Sequence, residues 1–206
     1  MTPALQPLLD RSRGPTGQPR QVDLGVERGP LAELADLLSA KNGFFVFNAG
    51  IQIYRAGEPG LGPELQEWNT TEAWKDNYGG LADGLFCVGQ DLFGRQFAID
   101  NRHTVVVFDP ETAERIPIGE SLEAWAAWLW EDPDVNGTRA YATAWQDEHG
   151  ALTPDQRLIP LRFFILGGSY DFDNVAVKDA RTCMRIRGPI AQTINQSADR
   201  TVLYFQ

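Results

Sequence analysis

Residues that carry most catalytic chemistry are scarce here: among 206 residues there are two histidines and two cysteines. Neither His103 nor His149 belongs to an HxxxH or HExxH pattern, and neither lies near a cysteine at ligand spacing. The usual basis for a protein-bound metal is therefore missing. Cys87 and Cys183 are far apart, sit in apolar surroundings and form no CxxC pair, so they read as buried thiols of a reducing compartment, not as a disulfide staple. No apolar run is long enough for a transmembrane span. Met1 to Leu9 is broken by Pro3 and Pro7 and offers no signal-peptide core, which points to the cytoplasm.

Positive charge is also short. The formal net charge is −10, and residues 56–155 alone hold five basic and nineteen acidic residues, a net −14. Phosphate binding needs a positive footprint, so nucleic acid is excluded as a direct partner. The same excess suits a basic protein partner. Nucleophile motifs are absent as well. Ser121 is explained as a helix cap, and Ser169 in Gly-Gly-Ser-Tyr lacks the elbow pattern. Gly57, Gly60 and Gly62 have the wrong spacing for a phosphate loop and no Lys-Ser/Thr follows them.

What the chain does have is core. Hydrophobic residues make up 43% and aromatics 11%, and a chain of this length buries roughly 70% of its unfolded surface. One domain is expected, with no metal, cofactor or disulfide needed for folding. Residues 1–29, rich in Gly and Pro, read as a flexible or loosely docked arm, and residues 30–206 as the folded domain. Pro30 opens a helix whose Leu31, Leu34, Leu37 and Leu38 share one face, and Asn42-Gly43 ends it. Phe44–Phe47 and Ile51–Tyr54 read as a hairpin, residues 56–64 as a loop, and Trp68 to Tyr78 as a short helix with Trp74 facing inward. Leu85–Val88, Gln96–Asp100, Thr104–Asp109 and Glu114–Ile118 form an antiparallel meander. Ser121 caps a helix from Leu122 to Trp130, buried through Leu122, Trp125, Ala126 and Leu129, and Pro133 sits past its end. The remainder reads as a strand Leu161–Leu166, a Gly167-Gly168 turn, a strand Asn174–Val177, a helix within 179–195 interrupted near Gly188-Pro189, and a closing strand Thr201–Phe205. His149 falls in a loop. The fold class is α+β, with an antiparallel sheet of about five to six strands packed against helices.

Carboxylates are the one abundant functional group. Asp171 with Asp173, Glu131-Asp132 with Asp134, and Asp109 with Glu111 are paired on turns, where aspartate supports turn geometry by local hydrogen bonds. No EF-hand pattern or catalytic base accompanies them.

Several short stretches carry a resemblance. Leu85 to Asp100 (LFCVGQDLFGRQFAID), then Thr104 to Asp109, Pro110-Glu111-Thr112, and Ile118 followed by Ser121-Leu122-Glu123-Ala124-Trp125, resemble the SUKH superfamily. Its members are bacterial immunity proteins related to the fungal Smi/Knr cell-wall regulators. Lys41-Asn42-Gly43-Phe44 and the tail from Gly167 to Ile194 are similar to a bacterial branch. One departure lies at Ser197–Arg200, where that branch has a Pro-Asp-Gly-type turn. The resemblance implies a small antiparallel sheet wrapped by helices, encoded beside secreted polymorphic toxins. Such a protein binds and neutralises a cognate toxin, commonly a nuclease or another cytosol-acting enzyme, without a cofactor and without catalysis. Toxin contact is then expected from acids on loops, Glu58, Glu64, Glu67, Asp83, Asp91, Glu131, Asp132, Asp134, Asp171 and Asp173, with Trp68 as an aromatic anchor. Two alternatives stay open: a regulatory or scaffold module unrelated to toxins, and an enzyme with an unfamiliar carboxylate site. Monomer and homodimer are equally compatible with the sequence.

Overall fold

The computed structural model describes residues 2–197. Six strands follow one another in a single antiparallel meander: β1 (Phe44–Val46), β2 (Ile51–Ile53), β3 (Leu85–Asp91), β4 (Gln96–Asp100), β5 (Thr104–Phe108) and β6 (Arg115–Gly119). The tight β4–β5 connection is Asn101, Arg102 and His103, with Asn101 and Arg102 at φ 48° and 70° and the His103 amide donating to the Asp100 carbonyl at 3.0 Å. The β1–β2 turn is costlier, with Phe47, Asn48 and Ala49 all at positive φ.

Strand alternation splits the central sheet between two layers. Phe97 on β4 points to one side and meets Trp125, ring centroids 5.5 Å apart. Trp125 belongs to helix α4 (Leu122–Glu131), whose Ser121 cap accepts from the Ala124 amide at 3.1 Å. Helices α1 (Leu5–Asp10) and α2 (Pro30–Ala40) pack beside α4. On the other side, Phe108 packs against Trp74 and Tyr78 in a polar-looking segment that folds as α3 (Leu65–Trp68) and two short 3-10 turns. A sheet covered on both faces buries nearly every residue of β3, β4 and β5, which is why these strands read as near-continuous apolar runs.

The first 29 residues are not a loose arm. Leu5, Leu8, Leu9 and Val22 lie in the main core. Glu123 on α4 accepts from the Ala4 amide at 2.8 Å, and Trp130 Nε1 donates to the Ala4 carbonyl at 3.1 Å. Arg13 and Phe45 exchange backbone hydrogen bonds of 2.8 Å, so this segment closes the free edge of β1. Gly/Pro content hid a segment held by three apolar leucines and by partners more than 100 residues away.

The C-terminal half departs most from expectation. A helix, α5 (Arg139–His149), occupies a stretch to which no element was assigned and takes in His149, expected in a loop. The strand expected at Leu161–Leu166 is instead β7 (Gln156–Pro160), paired with β8 (Val175–Asp179) as a separate two-stranded ribbon. Phe164–Leu166 is a 3-10 turn with an exposed face. The reason is Arg157, which is fully buried and masks the apolar character of β7. Its guanidinium donates to the Gln52 side chain on β2 and to the Gln156 carbonyl, tying ribbon to sheet. Burial pushes its pKa down to about 10. The last helix, α6 (Ala180–Gln196), is continuous through Pro189. Gly188 lets it approach the backbone of Asn77 so closely that an added Cβ would lie 2.3 Å from the Asn77 carbonyl. That packing offsets the hydrogen bond lost at an exposed interior proline. The expected closing strand at 201–205 lies outside the described residues.

Candidate functional site

The expected contact residues divide into three groups once placed. Glu58, Glu64 and Glu67 surround a polar cavity of about 520 Å³ beside α3. Each is engaged in local structure. Glu58 pairs with Arg55 at 2.7 Å, Glu67 pairs with Arg181 at 2.6 Å, and Glu64 caps α3 while accepting from the Gly57 amide at 2.7 Å. Trp68 does not stand at a surface. It is buried, with its indole N–H donating to Gln96 Oε1 at 2.9 Å, and that oxygen also accepts from Tyr54 at 2.7 Å. It cannot serve as an aromatic anchor for a partner.

Asp91 is a second correction. It ends β3 fully buried, where it accepts from the Phe93 and Arg95 amides at 2.9 and 2.8 Å and pairs with Arg95 Nε at 2.5 Å. Its role is to fold the β3–β4 turn and fix Arg95. Asp83 is exposed and lies apart from both cavities.

The remaining acids fall on two segments, 131–134 and 171–173, next to residues that line a second cavity. A cleft of about 580 Å³ opens between the β3–β4 turn, the loop after β5, α5, the turn after β7, and α6. Asp134 lines it, locked to Arg139 at 2.8 Å, and this hydrogen bond holds its carboxyl below the usual aspartate range. Asp132 accepts from the amides of Asp134 and Val135 at 3.1 Å and shapes the same loop. Tyr170 lines the cleft; Asp171 and Asp173 follow it in the chain, both exposed and neither lining the cleft. Asp171 acts on the nearby Tyr141 hydroxyl, whose pKa rises to about 12, chiefly through burial and then through that charge. Glu131 ends α4, exposed, just before the loop.

The cleft wall is aromatic. Phe93 meets Tyr141, Phe164 and Tyr170 edge-on at 4.9, 5.4 and 5.4 Å, and Phe164 stacks on Tyr170 at 4.1 Å. These rings continue a small second core of Leu92, Phe93, Ala142, Trp145, Leu152 and Leu158. At the mouth, three large apolar side chains stay in water: Val135 at 64% exposed, Tyr170 at 59% and Ile165 at 47%. The floor is charged. Arg187 on α6 and Glu111 are both almost completely buried, with Arg187 Nε 3.8 Å from Glu111 Oε1. Glu111 Oε2 accepts from the Ile165 amide at 2.9 Å. Desolvation raises the Glu111 pKa more than that hydrogen bond and the Arg187 charge lower it.

Sequence reading missed Glu111, Arg187, Tyr141 and Tyr170 as one site. The usable signal was Tyr141, Ala142, Trp145 and His149 at helical spacing, which marks α5 and with it one wall. No group of three or more His, Cys, Asp or Glu side chains among the described residues is placed to hold a metal ion. No helix among them is long and apolar enough to cross a membrane.

No protein-family model matches this chain, and no curated protein matches it. In solved structures, the chain is similar to the crystal structure of Atu4351 from Agrobacterium tumefaciens. The TM-score is 0.51 at 16% identity, covering 88% of this chain and 86% of that one. Similarity at this identity speaks for a shared fold.

Proposed function

We propose that this chain is a cytosolic immunity protein of SUKH type that neutralises a basic cognate toxin by binding it at the mouth of the aromatic cleft. The observation that carries this reading is the grouping of Val135, Ile165 and Tyr170, exposed together at one cleft, with Asp134 lining the same cleft and Asp132, Asp171 and Asp173 exposed on the chain segments next to Asp134 and Tyr170. Protein interfaces centre on apolar and aromatic anchors inside a polar rim. The net −14 of residues 56–155 would steer a basic partner towards this surface and speed encounter. The motifs between Leu85 and Trp125 support the toxin assignment, and they lie on β3 to α4, the part of the fold that frames the cleft from one side.

The test is a pull-down with the tagged chain from its native host, with mass spectrometry of the captured proteins. The parent should recover a toxin-domain protein. Asp171→Lys with Asp173→Lys should lose it, since reversing rim charges lowers the association rate and Asp171 and Asp173 accept no side-chain hydrogen bond from the described residues. Recovery of a regulator or scaffold protein in place of a toxin would favour the regulatory reading. Asp91→Lys is unsuitable, because it buries a charge beside Arg95.

A further inference from the structure

Seven buried side-chain polar atoms among the described residues have no hydrogen-bond partner, and four of them belong to Glu111, Tyr141 and Arg187 of the one cleft. Native interiors satisfy such groups, and each one left alone costs about 1–3 kcal/mol, more when charged. Their concentration at a cavity of about 580 Å³, within the usual size of small-molecule sites, calls for a ligand.

The atoms also say which kind. Arg187 Nε and Nη1 need acceptors, Glu111 Oε1 needs a donor, and Tyr141 Oη can give or take. An anion would satisfy Arg187 but would leave Glu111 Oε1 unmet and lie beside Asp109 and Glu111. A cation would satisfy Glu111 but would face Arg187 and Arg95. Both charges at the floor already have a counter-charge: Arg187 has Glu111, and Arg95 has Asp91. A neutral group carrying a donor and an acceptor side by side meets both needs without disturbing that balance. Phe93, Phe164 and Tyr170 offer rings to a flat body.

We propose that the cleft binds a small, flat, neutral ligand with an amide or lactam edge, of the size of a nucleobase or an aromatic carboxamide. The edge is read by Arg187 and Glu111, and the ring lies against Tyr170 and Phe164. This proposal does not depend on the toxin reading.

Three probes of similar size and different charge test it on the purified full chain: benzamide, benzoate and benzylamine, by calorimetry and ligand-observed NMR. Guanosine and uridine extend the series. Benzamide, or a nucleoside, should bind at least about tenfold more tightly than the two charged probes. Tyr170→Ala removes a mostly exposed ring and should weaken that binding by about tenfold, with a thermal midpoint within about 4 °C of the parent. Arg187→Met should abolish it, and far-UV circular dichroism reports whether that variant folds. Benzoate or benzylamine binding as tightly as benzamide would overturn the ligand class. No binding of any neutral probe at about 5 mM, or full binding by Tyr170→Ala, would overturn the site.

Discussion

The two faces where polar groups meet apolar walls follow opposite rules. Around the main sheet, polar side chains are buried deeply and most of their atoms are used, with Arg55 Nε, Trp125 Nε1 and Arg157 Nε as the exceptions. Gln96 accepts from Tyr54 and Trp68 and donates to the Gly94 carbonyl at 2.8 Å, and Gln52 accepts from Gln90 at 2.9 Å. Around the cleft, Arg187, Glu111 and the Tyr141 hydroxyl are buried without full partners, and apolar side chains stand in water at its mouth. The first arrangement specifies one packing and rigidifies it. The second holds unspent hydrogen-bonding capacity in place, as binding sites do. Burial alone does not separate a structural network from a site; partner satisfaction does.

Substitutions can break that contrast. The largest effect belongs to the sheet core: Trp74→Ala should cost about 3–5 kcal/mol in denaturant unfolding, because a fully buried ring packed on Phe108 and Tyr78 leaves a cavity. A loss below about 1 kcal/mol would mean this layer is not the stabilising core. Next comes Gln96→Leu, which strands the Tyr54 hydroxyl and Trp68 indole together and should cost about 2–4 kcal/mol.

The cleft should behave differently, and pH is the sharper probe. The Glu111 carboxyl has its folded pKa raised, mainly by desolvation, so between the ordinary glutamate value and the raised one the folded state holds a proton that the unfolded state releases. The stability linked to that proton is full below the ordinary glutamate range and is lost as pH rises through the raised value. Any deficit of Glu111→Gln against the parent should therefore be greatest in acid and narrow towards neutral pH. A deficit constant with pH would place Glu111 outside this account. The smallest effect is Tyr170→Ala, whose ring is mostly exposed and which should stay within about 1 kcal/mol of the parent in stability.

How much of this could be read from residue order follows the same division. The meander was legible because β3, β4 and β5 are apolar runs bounded by turn residues, and α4 because Ser121, the Trp125 face and Pro133 mark both ends. Trp74 was legible as inward-facing. What failed was local evidence overruled by distant contacts. The Gly/Pro-rich start is held by Glu123, Trp130 and the β1 edge, and no local pattern reports that. Arg157 disguised β7, because a buried arginine in a strand makes sense only once Gln52 is beside it. Thr138 at φ 52° precedes α5 with no side-chain cap, so that helix carried no start signal. The candidate site suffered most. Its acids were legible as a charge excess, but Asp91 and Trp68 were read as surface when both are buried, and the floor joins Glu111 to Arg187 across 76 residues.

The proposed neutralisation of a toxin by binding is open to a growth test. The most direct measurement is growth of a heterologous host that expresses the captured partner, with and without this chain. The account predicts growth arrest by the partner alone, rescue by the parent chain, and weakened rescue by the Asp171→Lys, Asp173→Lys variant. A partner that leaves growth unaffected, or an arrest that the parent chain does not relieve, would contradict it.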